Sequence, residues 1–232
     1  MLAPITDVDA FVTTRGTWHT LAERVLAPAR HRDSGRIGLR AAPRGFATPS
    51  FGAGRVLAVS GAELLITDGD ATTPQPITTL GAAAAAVGIE PDAETGVYTA
   101  TTPSDPDAVL NVDTTSANQL GDWITFGDRL LQQWRLEHAD ATPTEIQLWP
   151  EHFDLALDLG TEDGRANYGA SPGDADHPLP YVYVGPWNPT DDPFWNAGSY
   201  ARLGYEDLAE APDPDAVALA FFARGYEVAS AQ

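Results

Sequence analysis

Between Thr144 and Trp187 the chain changes its hydrophobic period, and that change constrains the fold more than any other feature. Trp149, Phe153, Leu155, Leu157 and Leu159 share one parity, while Ile146, Leu148, His152, Asp154 and Ala156 share the other. Side chains alternate faces along a strand, so the odd face reads as apolar and the even face as mixed. Pro150 cannot donate to a ladder, and it splits the run into two strands or marks a bulge. Gly160–Arg165 (GTEDGR) is turn chemistry, and Tyr181–Val184 is a β-rich run between Pro180 and Gly185. The stretch therefore predicts strand, turn, short strand, loop, strand: an antiparallel meander.

Helical spacing flanks it. Leu120, Trp123, Ile124, Gly127, Leu130, Leu131 and Trp134 fall on one stripe, which predicts a helix from Ala117 to about Glu137, with Ser116 and Gln119 as a capping box. Trp18, Leu21, Ala22, Val25 and Leu26 predict a first helix over Thr17–Ala27, stopped by Pro28. Arg36–Arg40 reads as a strand, and Arg55–Val59 with Glu63–Thr67 reads as a hairpin. Asp68–Pro76 reads as a loop. An alanine-rich helix capped by Thr78 or Thr79 stops at Gly88. Residues 91–113 hold small strands at most, at Gly96–Ala100 and Val109–Val112. Asn188–Gly198 is an irregular loop. Asp213–Pro214 opens a last helix that Gly225 ends or breaks.

The expected class is α+β: an antiparallel β-sheet packed with three or four helices in a single domain spanning 1–232. Trp18, Leu21, Val25, Leu26 and Arg30 match Trp123, Phe126, Leu130, Leu131 and Arg135 at a constant offset. Two readings stand side by side. Either the chain is a duplication of helix–sheet–helix halves, 17–90 and 116–230, or two amphipathic helices simply slide into register. A duplication would offer a crevice between the halves as a ligand site.

Composition narrows the function. The formal net charge is −20, from 33 acidic residues against 13 basic ones, all of them arginine. Such a surface repels phosphate backbones and anionic lipid, which argues against nucleic-acid and membrane partners. It is either solubility charge or an attraction for a cationic partner. With no cysteine, disulfide and thiolate chemistry are excluded. No basic, apolar leader opens MLAPITDVDAFV and no apolar run reaches membrane-spanning length, so a cytoplasmic location is expected.

Candidate chemistry concentrates in the meander. Gly169–Gly173 (GASPG) matches the G-x-S-x-G pattern, but proline follows Ser171, so the backbone donor that an oxyanion hole needs is missing. A turn is the better reading. His152 and Asp154, two apart, form a candidate acid–base pair; with His177 they would make a metal set, against a bland reading in which they are satisfied or exposed. An acid between Phe153 and Leu155 must be paired or wet. The rings of Trp149, Tyr168, Tyr183, Trp187 and Trp195, with Asn167, either fill a core or line a ligand pocket that would also attract a cation. No Walker loop, Rossmann fingerprint, zinc-finger spacing or EF-hand occurs, so no cofactor is expected.

Several of these motifs together resemble an uncharacterised bacterial family, a domain of unknown function. They are the tryptophan-bearing Thr17–Leu21 opening, Gly35–Leu39, Gly45–Pro49, Trp149 followed by Phe153–Asp154–Leu155–Ala156, Pro172–Gly173–Asp174, Pro180–Tyr183 and Asp213–Pro214. The family has a bulky residue at the place of Ser171, and its histidine is not held at the place of His152. The resemblance implies a shared fold with Asp154 in a characteristic place, and brings no activity with it.

The functional expectation is a small molecule bound in an aromatic-lined crevice. The alternatives are an enzyme using the His152–Asp154 pair, with or without a metal, and an acidic protein-interaction module.

Overall fold

The computed structural model describes residues 2–161 and 163–231. Its class is α+β, as the sequence predicts, and its antiparallel strands form two five-stranded sheets packed with helices. The chain divides into two compact units. The first comprises Ile5–Thr125 with Leu148–Phe153, and the second Met1–Pro4, Phe126–Gln147 and Asp154–Gln232.

The first helix is far longer than its apolar stripe suggests. α1 (Val8–Leu21), a π-helical turn (Ala22–Leu26) and α2 (Ala27–Ser34) run on without a break. Asp7 caps the start by accepting from the Ala10 amide at 3.0 Å, and Gly35, with φ 68°, closes the end. Pro28 does not stop the helix, because the π-turn widens the ladder just before it. The carbonyl that loses a donor to the proline is that of Glu23, five residues back, and the Tyr98 hydroxyl donates to it at 3.4 Å.

β1 (Arg40–Ala42), β2 (Gly45–Ala47), β3 (Val56–Ser60), β4 (Glu63–Asp68) and β5 (Ala71–Pro76) form a meander in that spatial order. The expected 36–40 strand starts only at Arg40; Leu39 before it exchanges backbone bonds with Leu148 at 2.8 and 2.9 Å. The expected loop over 68–76 is instead edge strand β5, paired along its length with β4. α3 (Leu80–Val87) has Thr79 as its cap and Gly88 as its left-handed stop, as expected. Residues 88–113 hold no strand, and of the small strands allowed there only Val109 makes an isolated antiparallel bridge, to Thr79.

α4 (Thr114–Glu137) begins three residues earlier than expected. Asp113, not Ser116, is the capping acceptor: its Oδ1 takes the Ser116 amide at 2.8 Å and the Ser116 hydroxyl at 2.9 Å. Those bonds hold its carboxyl below the usual range.

The second sheet has the order β10-β9-β8-β7-β6, built from β6 (Gln147–Trp149), β7 (Asp154–Leu159), β8 (Ala166–Ser171), β9 (Tyr181–Pro186) and β10 (Ala201–Gly204). Pro150 falls between β6 and β7, as expected. The Gly160–Arg165 turn joins β7 to β8, and Glu162 within it lies outside the described residues. After β10 come α5 (Tyr205–Glu210), which the sequence did not announce, and α6 (Pro214–Ser230), capped by Asp213 with Pro214 in its first turn. Gly225 does not end α6. A Cβ there would stand 2.8 Å from the Val184 side chain, so the glycine lets the helix lie close on β9.

Candidate functional site

Pairing register sorts the second sheet into two chemically different faces. Ala156, Gly169, Tyr183 and Arg202 stand opposite one another across four strands, and Ser171 stands opposite Tyr181. Directly opposed residues share a face. Asp154, Asp158, Asn167, Ser171, Tyr181, Tyr183 and Arg202 therefore lie on one side. Leu155, Leu157, Leu159, Tyr168, Ala170, Val182 and Val184 lie on the other and are buried. The apolar side belongs to the unit's core: Tyr168 meets Trp134 of α4 at 5.4 Å and Phe222 of α6 at 5.5 Å between ring centroids.

The polar face is built around Asp154, which is 7% exposed. Its Oδ2 accepts a hydrogen bond from the Tyr183 hydroxyl. Burial first, and then the charge of Asp154, push the Tyr183 phenol well above its ordinary pKa, so this proton stays on the tyrosine. The ring reaches Asp154 because position 169 carries no side chain: a Cβ on Gly169 would sit 2.3 Å from Tyr183 Cζ. Tyr181 donates to Asp174 at 2.6 Å, and burial followed by that bond raises its pKa too.

A second polar cluster lies along the same face. Asp158 Oδ1 accepts from the Trp187 indole at 3.1 Å and from the Asn167 amide at 3.4 Å. The Arg165 guanidinium stands 5.4 Å from the Trp187 ring centroid. Asn167 Oδ1 is buried and takes no hydrogen bond from any described residue. The face grades from Trp187, 59% exposed, to enclosed Asp154.

Of the expected ligand residues, the register brings together Asn167 and Tyr183, with Trp187 joined through Asp158. Tyr168 is a correction: next to Asn167 on one strand, it must point the opposite way, and it fills the core. Trp195 is buried inside its own loop, where its indole donates to Thr190 at 3.0 Å. Trp149 is half-buried in the first unit.

The His152–Asp154 pair is corrected as well. Phe153 between them has φ 53°, so the strand alternation that would align the two does not pass through it. His152 is exposed in the first unit and Asp154 is buried in the second. His177 is half-buried beside Asp174, 3.5 Å away. Among the described residues no group of three or more His, Asp or Glu is placed to hold a metal ion, so the set His152, Asp154 and His177 is not assembled. Ser171 ends β8, is buried, and accepts from the Gly173 amide at 3.1 Å. No helix follows it, so GASPG is a turn and not a nucleophile elbow.

No family model matches the chain, and no curated protein or solved structure is significantly similar to it. No helix among the described residues is long and apolar enough to cross a membrane.

A further cluster lies in the first unit, with little local signal in the sequence. Glu23 of the π-turn is 1% exposed, and its carboxylate takes the Thr101 amide at 3.1 Å and the Thr102 amide at 2.8 Å. Arg24 beside it donates to the Thr102 carbonyl at 3.0 Å and to Glu94 at 3.1 Å. The two charges strap the irregular segment onto the helix. His19, one turn back, has Nε2 3.8 Å from Glu23 and stacks on Phe153 at 5.5 Å. Burial lowers its pKa, and Arg15 and His152 add to this; Glu23 and the Pro150 carbonyl oppose it. Both Glu23 oxygens are occupied by backbone donors, so the pair works as a fastening rather than as a proton shuttle. The one available signal was a Glu–Arg pair inside the apolar run Leu21–Leu26.

Proposed function

We propose that this chain binds a small molecule on the polar face of its second sheet, at the Asp154–Tyr183 pair. One observation carries the reading. The sheet spends its other face on core packing, yet this face holds a buried carboxylate, a phenol seated over a glycine, and an enclosed amide oxygen on Asn167 without a partner. Burying polar groups costs free energy unless they are hydrogen-bonded, and a fold that needed only a second apolar layer would not place them there. The arrangement suits a ligand that lies against Tyr183 and Trp187, donates to Asn167 Oδ1, and presents positive charge toward Asp154 and Asp158. The cytoplasmic location expected from the sequence is part of this proposal.

The test is a thermal-shift screen of the full chain against amines, amino acids, sugars and nucleosides, repeated on Asp154→Asn and Tyr183→Phe. Ligands that raise Tm in the parent and lose that effect in both variants support the reading. A parent that no compound stabilises, or hits indifferent to both substitutions, would overturn it.

A further inference from the structure

At the β10 end of the same face lies a cleft of about 210 Å3, lined among others by Leu179, Tyr181, Arg202, Tyr205, Glu206 and Asp207. Arg202 is the arginine that the register places directly across from Tyr183. Its peptide group is fixed from both sides: Asn196 Oδ1 accepts the Arg202 amide at 2.9 Å, and Asn196 Nδ2 donates to the Arg202 carbonyl at 3.0 Å. Arg202 as a residue is half-buried and lines the cleft, and its guanidinium forms no hydrogen bond or ion pair with any described residue.

That is unusual company for a guanidinium. The chain carries 33 carboxylates against 13 arginines, and Glu206 and Asp207 line the same cleft without pairing to Arg202. A planar, always-charged fork held on a fixed backbone is suited to bidentate capture of a carboxylate from outside. Asp176, Glu206 and Asp207 in the same lining offer the opposite sign. Leu179, Tyr181 and Tyr205 add apolar and aromatic surface to the lining. The volume lies below the range typical of drug-sized ligands, so the occupant is a small metabolite.

We infer that this cleft takes a zwitterionic amino acid, its carboxylate on Arg202 and its ammonium toward Glu206 and Asp207. The inference rests on the small-molecule reading above and names the ligand class for its β10 end.

Calorimetric titration of the full chain separates the two. The probes are L-phenylalanine, hydrocinnamate (which lacks the ammonium) and phenethylamine (which lacks the carboxylate). L-phenylalanine is expected to bind at least tenfold tighter than either analogue. Arg202→Gln should weaken it tenfold or more at unchanged circular dichroism, with Arg202→Lys between the two. Glu206→Gln with Asp207→Asn should weaken it while leaving hydrocinnamate unaffected. Equal affinity for the three probes, no measurable heat with L-phenylalanine, or an Arg202→Gln variant that binds like the parent would overturn the inference. If it falls while the thermal-shift screen still yields ligands sensitive to Asp154→Asn, only the ligand class is wrong. If that screen is silent too, the small-molecule reading falls with it.

Discussion

Tyr183 occupies the space that a side chain on Gly169 would need: a Cβ at residue 169 would lie 2.3 Å from its Cζ and 2.5 Å from its hydroxyl oxygen. The two residues are direct partners in the β8–β9 register. This absence of a side chain lets the phenol reach across β8 to Asp154 on β7, two strands away. Gly169→Ala should therefore swing the ring aside and break the Asp154 bond. The expected cost is about 1–3 kcal/mol, the range for overpacking a well-filled site. Urea unfolding of the parent and the variant measures it, and an unchanged midpoint would show that the ring does not need the vacancy.

Tyr183→Phe removes the same bond by a different route, leaving a buried carboxylate short of a donor. A loss of about 1–3 kcal/mol is expected. Because both substitutions act on one contact, the double variant Gly169→Ala/Tyr183→Phe should cost clearly less than the sum of the two singles. Additive losses in the same urea experiment would mean that the glycine and the hydroxyl serve separate purposes.

Much of this fold is legible along the chain because its signals are local. Thr79 and Gly88 bracket α3, Asp213–Pro214 opens α6, and the apolar stripe of Leu120 to Trp134 places α4. Elements whose reasons lie elsewhere are not legible. β5 carries Pro74 and Pro76, which argue against a strand, but as an edge strand it needs partners on one side only. Pro28 reads as a stop until the π-turn and Tyr98, 70 positions on in the sequence, supply what it lacks. In the site, Asp154 and Tyr183 stood out as an acid and a ring in strand-like runs. Asn167 and Tyr168 fall together by composition, although neighbours on a strand face opposite ways. Nothing local marks Arg202: its place on the polar face depends on β10 pairing with β9, and ARLG carries no alternation strong enough to announce a strand.

Alkaline pH should unfold this protein early. Of its seven tyrosines, burial raises the pKa of Tyr98, Tyr168, Tyr181, Tyr183 and Tyr200 above 10.0, most strongly for the enclosed ones. Below about pH 10 these phenols are neutral in both states and contribute no pH dependence to folding. Above it the unfolded chain releases protons that the native state retains, so stability falls as pH rises. Absorbance titration of phenolate should show a minor early fraction, then a cooperative jump that coincides with loss of circular dichroism. Smooth ionisation of all seven near pH 10 in a still-folded protein would contradict the burial described here.

On the acid side the corresponding group is His19. Its native pKa is lowered from 6.5, chiefly by burial. The unfolded state therefore binds the proton more readily, and stability present above about pH 6.5 is lost as the pH falls through it. His19→Phe keeps a ring against Phe153 and removes the titration. Its stability, followed by urea midpoint from neutral to mildly acidic pH, should decline less steeply than that of the parent. Parallel profiles would assign the acid sensitivity to other groups.

Glu23 fastens the irregular segment to the first helix through the amides of Thr101 and Thr102, 78 and 79 residues away in the sequence. Glu23→Gln keeps the size and removes the charge, and it sets an amide that is partly a donor against two backbone donors. Hydrogen bonds to charged groups contribute about 1.5–3 kcal/mol. The segment makes no strand of its own, so the loss should appear as local opening rather than global unfolding. Hydrogen exchange read by mass spectrometry should show the Thr101 and Thr102 amides protected in the parent and exchanging about tenfold or more faster in Glu23→Gln, with the β3–β4 amides unchanged. Equal protection in both proteins would mean that Arg24, through the Thr102 carbonyl and Glu94, holds the segment without its neighbour.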